Sequence, residues 1–463
     1  MIPLIEINIE DAVHTVVASS HERGTGSCVW ALCLGLFGSS LSKGSAVLAP
    51  GLERIKGMRN RALWILFAIA GCSDGTASPD EPRGPGQEAW ALVSPDRVAE
   101  ECGLDPDLLA QANAEIDRAY AIVRYGKLCH EYIPEDDYPG GVDTMEVVFS
   151  ATKTLAGVLT GAAAWRTKDI PRTGPKTGPL QDTDRVDHWL DSVSFNPDAQ
   201  VGHVLGMVAH NEDLSSPELE FSYDALGGVQ INRLNDIITA AIAQDPTLGA
   251  NVHELFEQFL RVPLGMNESD WEGDAPNKNF AFGWTTTVRD MARLGLLMLD
   301  EGVWSGERLV DSDWIYKMTH PSFELANTGY GYLTWLIARS NADNDDGLDK
   351  TTEPNAPCTP SAIWNEYPHS LSTATDCNYA APWNCGQSYD VGVWYAAGAR
   401  GNYIIGHRGL DMVLVVKYVG DNNQQVVWNA IRPALVALDP TFAGDEEAFC
   451  SAYAAGEYAP SLR

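Results

Sequence analysis

Ser150 and Lys153 stand three residues apart where an extended run, Met145-Glu-Val-Val-Phe, gives way to a segment that is apolar almost all the way round. Residues at i and i+3 share one face of a helix, so this hydroxyl and this amine can touch. The first N–H groups of a helix have no internal partner and lie at the positive end of its dipole. An oxyanion forming at Ser150 would be stabilised there by the residue's own N–H. Burial beside that end lowers the pKa of an amine, which suits Lys153 as a proton acceptor. The pair therefore reads as a serine nucleophile with a lysine base. The tetrapeptide alone is a weak signal, since Ser-x-x-Lys falls about once or twice by chance in a chain of this length. Ser40-Leu-Ser-Lys43 is such a chance copy, with Gly44 next to it and no buried helix behind. What distinguishes Ser150 is the following segment, in which Thr154 and Thr160 are the polar side chains before Trp165. A helix apolar on all faces belongs in the middle of a domain.

Several elements have to position that helix. Leu108, Leu109, Ala112 and Ile116 share one face of a predicted helix over 105–119. Two strands follow, over 120–124 and 127–132, around a turn at Tyr125-Gly126. Helical patterning recurs at 186–193, 201–208, 228–243, 252–261 and 287–301, and 330–337 has strand character. Strands are predicted again at 392–397, 402–405 and 412–418, with a fourth at 424–428 and helix from 434. Strands near both ends with helices between them imply an α/β (α+β) fold. One antiparallel sheet is built from both termini and flanked by helices, beside an all-helical lobe over about 166–325. Residues 341–390 hold three cysteines, many turn formers and no periodicity, and read as an insertion.

The 463 residues carry 45% hydrophobic side chains and a net charge of −32. That acidity excludes a nucleic-acid partner and binding to anionic lipid through basic patches. Met58-Arg-Asn-Arg61 precedes the apolar run 62–70 and then Gly71-Cys72, the order of a secretory signal over 58–71. Ile69-Ala-Gly-Cys72 resembles a bacterial lipobox, which implies lipidation of Cys72 and an exported protein anchored at the cell envelope. Residues 1–57 are then expected to be a mis-called upstream extension, with the apolar stretch 29–37 as a rival signal. Residues 72–87 are expected to be a flexible tether and 88–463 the working domain. Residues 1–71 carry six basic and five acidic side chains, so removing that net +1 leaves −33. Beyond Cys72 the cysteines are Cys102, Cys129, Cys358, Cys377, Cys385 and Cys450, enough for three disulfides in fifteen possible pairings. No Cys-x-x-Cys occurs and the histidines are scattered, so no metal site is expected. Asp343-Asn-Asp-Asp346-Gly-Leu-Asp349 has calcium-type ligands, but its glycine is out of step with a calcium loop and it reads as a solvated turn.

In order along the chain come Phe149-Ser150-Ala-Thr-Lys153, His203-Val-Leu-Gly-Met207, Phe221-Ser-Tyr223, Val262-Pro-Leu-Gly-Met266, Thr285-Thr-Thr-Val-Arg-Asp290-Met-Ala-Arg293 and Gly329-Tyr-Gly-Tyr332. Together they resemble the serine β-lactamase / penicillin-binding-protein-like hydrolases, in particular the branch of class C β-lactamases, esterases and aminohexanoate-oligomer hydrolases. The resemblance runs from about 102 to 433, outside the insertion, and implies a serine β-lactamase-like fold. It implies Ser150 as the acylated nucleophile, Lys153 as its base and Tyr223 as the second-motif tyrosine that shares the proton traffic. The family's Tyr-x-Asn reads Tyr223-Asp224-Ala225, so the amide-binding Asn is missing. Its third motif has two candidates, Ala396-Ala-Gly398 and His407-Arg-Gly409, and the first is favoured because a strand over 402–405 can then pass behind it. In that register Gly398 and Ala399 bind substrate, the Ala399 N–H joining the Ser150 N–H as an oxyanion hole.

The expected function is hydrolysis of a small-molecule ester or amide through an acyl-enzyme on Ser150, without metal or organic cofactor. Alternatives are a β-lactamase or D,D-peptidase, disfavoured by the missing Asn and third-motif Lys or His, and a non-turnover penicillin-binding or scaffold protein. Trp364, Tyr367, Tyr379, Trp383, Tyr389 and Trp394 lie in or near the insertion, where they either roof the pocket or pack the loop.

Overall fold

A computed structural model describes residues 83–336 and 393–438, except 216–218, 274–276, 324–325, 328 and 422–423, together with positions 444, 445 and 448 and three short N-terminal strands. The chain forms two compact units, Met1–Thr76 and Ala77–Arg463. In the first, Val16–Ala18, Trp30–Gly35 and Trp64–Leu66 pair antiparallel. The rest concerns the second unit.

Its elements begin with α1 (Pro106–Ile116), β1 (Tyr120–Arg124), β2 (Lys127–Tyr132), β3 (Glu146–Val147) and α2 (Thr152–Thr167). There follow α3 (Leu234–Ile242), β4 (Ser269–Trp271), β5 (Trp284–Thr286), α4 (Val288–Leu299) and α5 (Ser312–Thr319). The last are β6 (Trp335–Leu336), β7 (Val393–Gly398), β8 (Asn402–His407), β9 (Met412–Val416) and α6 (Gln424–Val436). Six strands form one antiparallel sheet in the order β6-β7-β8-β9-β1-β2, so strands from both ends meet where β9 pairs with β1.

Period-two alternation gives this sheet two apolar faces. Tyr120, Ile122, Tyr403, Ile405 and Leu414 face a layer made by α1 and α6. Ala121, Val123, Ile404, Val413 and Val415 face the layer that contains α2 and α4. Close approach on that second face depends on Gly295 of α4, since a Cβ there would press on Val413 and Ile404. The β1–β2 turn has Tyr125 and Gly126 both in the left-handed region, φ 54° and 75°, as a tight two-residue hairpin requires. A disulfide joins Cys102 to Cys129 on β2; Cys72, Cys358, Cys377, Cys385 and Cys450 lie outside the described residues.

α2 is as buried as its composition demands, with Thr152 to Ala163 shielded from solvent throughout. Two of its buried hydroxyls, Thr154 and Thr160, donate to the carbonyls of Leu333 and Ala156. Gly161 makes room for Trp314 of α5, whose indole N–H donates to the Gly157 carbonyl at 3.1 Å, while Gly157 lets Met318 and the Tyr332 carbonyl approach.

Four expectations are corrected. Residues 424–428 are the first turns of α6 rather than a strand; their Val-Val-Trp has strand propensity, but Val427, Trp428 and Ile431 pack at helical spacing against α1. Among the described residues 330–336 the ladder covers Trp335–Leu336, and Tyr330 folds back into a bridge with Trp335. The lobe over 166–325 is not wholly helical, since it contributes β4 and β5 to a small sheet with β3. Residues 83–87, expected to belong to the tether, are docked: Arg83 pairs with Asp300 and Asp411, and the Gly86 carbonyl accepts from Arg293 and Trp304. The insertion 341–390, its aromatic residues and its acidic turn lie outside the described residues, while Trp394 is buried on β7.

Candidate active site

β3 delivers the chain to Ser150. Its neighbour β5 holds the exit, because the Val148 N–H donates to the Trp284 carbonyl at 2.9 Å. Phe149 then adopts φ 48°, a left-handed conformation that a bulky side chain rarely takes, and Ser150 follows in a single 3-10 turn. Thr152 locks this turn: its hydroxyl donates to the Phe149 carbonyl at 2.6 Å and accepts the Trp284 N–H at 3.1 Å. Ser150 thus lies half-buried at the mouth of α2, in a first turn whose N–H groups have no helical acceptor.

Behind the turn, Lys417 ties the small sheet to the large one. It is wholly buried, donates to the Thr286 carbonyl at 2.8 Å and lies 3.2 Å from the Glu146 carboxylate. Burial pushes its pKa down to about 8, against the pull of Glu146. Its neighbour Tyr418 donates to the Val147 carbonyl at 2.9 Å. The Ser150 turn is therefore held from two sheets at once.

Lys153 is 2% exposed. Its Nζ lies 3.2 Å from Ser150 Oγ, 2.9 Å from the Ala281 carbonyl and 3.3 Å from the Ala225 carbonyl. Burial lowers its pKa to about 7, partly opposed by the buried carboxylate of Asp224. A carbonyl can only accept, so the two carbonyls take two N–H groups whatever the charge of the amine. In the neutral form the remaining position is the lone pair, and it faces Ser150 Oγ. The geometry selects the orientation in which the amine can receive the serine proton.

Tyr223 brings its ring beside this amine, with Nζ 4.6 Å from the ring centroid. The same ring also meets Trp335 on β6, at 5.5 Å between ring centroids. The loop carrying Tyr223 is fixed by Asp224, whose Oδ2 accepts the N–H groups of Val229, Gln230 and Ile231 at 3.1, 2.7 and 3.1 Å. At the position where the resemblance would place Asn, Ala225 contributes its backbone carbonyl to Lys153 instead.

The sheet register decides where the two third-motif candidates stand. β7 and β8 pair from Gly398↔Asn402 at one end to Val393↔His407 at the other. Gly398 abuts the Ser150 turn so closely that a Cβ on it would overlap the Val148 carbonyl oxygen. Ala399 follows at the exposed rim, its carbonyl accepting from the Asn402 side chain at 2.8 Å. His407 is five strand positions away, about 17 Å along the sheet. It is buried, its Nδ1 accepts the Leu410 N–H at 3.2 Å, and burial holds its pKa down at about 3. Arg408-Gly409-Leu410 forms the 3-10 turn between β8 and β9. The structure thus brings Ser150 together with Lys153, Tyr223 and the Gly398-Ala399 strand end, and leaves His407 apart.

Sequence reasoning missed the Ala225 and Ala281 carbonyls, which have no side-chain signature, and Lys417, which read as one more strand residue. Among the described residues no group of His, Cys, Asp and Glu is arranged to hold a metal ion.

No family model matches the chain. It is 26% identical over 285 residues to the 6-aminohexanoate-dimer hydrolase of Paenarthrobacter ureafaciens, spanning 54% of this chain and 69% of that protein. Among solved structures it is similar to a family VIII carboxylesterase, at TM-score 0.45 and 10% identity over 72% of this chain and 99% of the other. A penicillin-binding-protein homologue from Caulobacter crescentus matches at 0.43 and 12%, over 70% and 96% of the two chains. A β-lactamase from Mycobacterium bovis matches at 0.40 and 16%, over 69% and 93%. The described residues form the antiparallel sheet of strands from both ends, flanked by helices, that the sequence implied, and the sequence relative named above is a hydrolase.

Proposed function

We propose that this chain is a β-lactamase-related serine hydrolase that cleaves a small ester or amide through an acyl-enzyme on Ser150. The observation that carries the reading is the three-way hold on Lys153, which aims its lone pair at Ser150 Oγ. In the first half-reaction the Ser150 O–H proton passes to Lys153 while Oγ bonds to the substrate carbonyl carbon. The carbonyl oxygen, now negative, is held by the N–H groups of Ser150 and Ala399. Collapse breaks the bond to the alcohol or amine, which leaves with the proton from Lys153, relayed by the Tyr223 hydroxyl. In the second half-reaction water gives its proton to Lys153, its oxygen attacks the acyl carbon, and Ser150 Oγ departs and is reprotonated. The side chains present supply every proton transfer, so the cycle runs without a cofactor.

The test is a panel of p-nitrophenyl esters, an anilide, nitrocefin and a fluorophosphonate probe, applied to the purified chain and to Ser150→Ala. Ester or anilide turnover that disappears in Ser150→Ala supports the reading. Preferential turnover of nitrocefin would shift it to a β-lactamase, and stoichiometric labelling without turnover to a binding protein. The absence of both labelling and turnover would remove it.

The same reading places the enzyme outside the cytoplasm, anchored to the cell envelope through a lipid on Cys72. The Cys102–Cys129 disulfide supports an oxidising compartment. A mature N-terminal peptide beginning at a diacylglyceryl-modified Cys72, sought by mass spectrometry of the membrane fraction, tests it; an intact Met1 terminus there would overturn it.

A further inference from the structure

Lys417 is wholly buried, and the proposed cycle gives it no part. Its Nζ meets two groups whose residues stand directly opposite each other across a strand pair. One is the Thr286 carbonyl on β5, at 2.8 Å, and the other the Glu146 carboxylate on β3, at 3.2 Å. β3 is two residues long and lies at the edge of the small sheet β3-β5-β4. A strand this short, with its ladder on one side, does not fix its own position. Yet it sets where Ser150 stands, four residues after Glu146.

The backbone that presents the ammonium is anchored to the large sheet. The Lys417 N–H donates to the Ala119 carbonyl at 2.9 Å, next to the start of β1. Tyr418 follows with φ 56°, a left-handed conformation that persists where the surroundings hold it, and its carbonyl accepts from Arg118 Nε at 3.2 Å. The Tyr418 hydroxyl reaches the Val147 carbonyl, and its ring meets that of Phe149 edge-on at 6.4 Å between centroids. Lys417 and Tyr418 thus touch three of the four residues 146–149 that lead into Ser150. The Lys417 contact differs in kind, because one ammonium joins both strands of the pair. It does so out of solvent, where a charge-assisted contact is strong and a missing partner costly.

We infer that Lys417 is a positioning residue for the reaction at Ser150: its bridge between Glu146 and the Thr286 carbonyl sets the place of β3, and with it that of Ser150 Oγ relative to Lys153. The inference rests on the proposed acyl-enzyme reading and adds a residue that acts through another. Ser150 Oγ and Lys153 Nζ stand 3.2 Å apart, at the long end of a hydrogen bond, so a shift of about 1 Å parts them.

The rate at which a fluorophosphonate labels Ser150 tests it, because phosphonylation is a single attack by Oγ. A concentration series separates binding of the probe (KI) from the chemical step (kinact). Lys417→Met keeps the apolar stem and removes the bridge, so kinact should fall about ten- to hundred-fold with KI within about three-fold. Glu146→Gln still offers the ammonium an oxygen and should keep kinact within about three-fold of wild type. The double variant Lys417→Met/Glu146→Gln leaves no buried charge without its partner. Its urea midpoint should therefore recover from that of Lys417→Met towards wild type, while kinact stays low. A folded Lys417→Met with native kinact overturns the inference. So does a double variant whose kinact recovers together with its midpoint, since the loss then came from an orphaned carboxylate and not from the missing bridge. If Lys417→Met does not fold, the double variant decides in the same way, with low kinact on folded protein supporting the role and native kinact overturning it. If the wild-type chain is neither labelled nor turns over an ester, the acyl-enzyme reading falls and takes this inference with it. Circular dichroism of each variant confirms that the rates are measured on folded protein.

Discussion

In the proposed cycle Lys153 has to be neutral to accept the Ser150 proton, and its burial favours that form. Burial favours the uncharged amine, the Asp224 carboxylate works against that, and the balance leaves the pKa at about 7. The consequence has a sign: below about 7 the amine is protonated and has no lone pair to offer, and above it the amine is ready. The value of kcat/KM for a neutral ester should therefore climb about ten-fold per pH unit on the acid side and level off above neutrality. A profile flat from pH 5 to 9 would remove Lys153 from the base role. Lys153→Ala should lower kcat/KM by about 10² to 10⁴-fold, the usual contribution of a positioned base. Lys153→Arg should lose as much, because a guanidinium does not release its proton in this range. Measurement of both variants at pH 8, where the native amine is mostly neutral, separates loss of the base from a shift in its titration.

At the scale of elements, the site depends on one strand end meeting one turn. β7 can reach the nucleophile because residue 398 lacks a Cβ; with one, the strand would collide with the Val148 carbonyl oxygen. Gly398→Ala is therefore expected to push β7 away from Ser150 and carry the Ala399 N–H with it. A displacement of this order at the reacting atoms costs about 10²-fold in rate, so kcat should fall by that much or more. The thermal midpoint should move far less, because the β7–β8 ladder and the core beneath it remain. A variant with native kcat would show that this strand end does not supply the oxyanion contact. Gly161 of α2 offers the opposite case. A Cβ there would press into the Trp314 ring, and Trp314 packs away from the catalytic mouth. The effect of Gly161→Ala would fall on stability, at about 1–3 kcal/mol of overpacking strain.

The whole molecule closes its sheet from both ends of the domain, and a covalent link supports the N-terminal half. Cys102 and Cys129 are 27 residues apart and both are buried. Their bond limits the unfolded chain, so removing it with the pair Cys102→Ala and Cys129→Ala should cost about 3 kcal/mol, read as a lower midpoint in urea. Site geometry should survive, because the link lies on the α1 side of the sheet, opposite the layer that contains α2. An unchanged midpoint would mean that the pair is not oxidised in the folded protein.

The local chemistry of this protein was written in its sequence. Ser150 and Lys153 were legible because i and i+3 spacing fixes a contact within one helix, and the buried character of α2 followed from its composition. The strands β1, β2, β7, β8 and β9 were legible from their apolar patterning. The tertiary structure alone decided what long-range backbone contacts decide. Among these are the Ala225 and Ala281 carbonyls that orient the Lys153 amine, and the register that sets Gly398 against Ser150 and His407 about 17 Å away. Residues 424–428 show the limit from the other side: their β-branched run has strand propensity, and packing against α1 made it a helix. Propensity is local and weak, whereas burial against a partner distant in sequence is strong and invisible until the chain is folded.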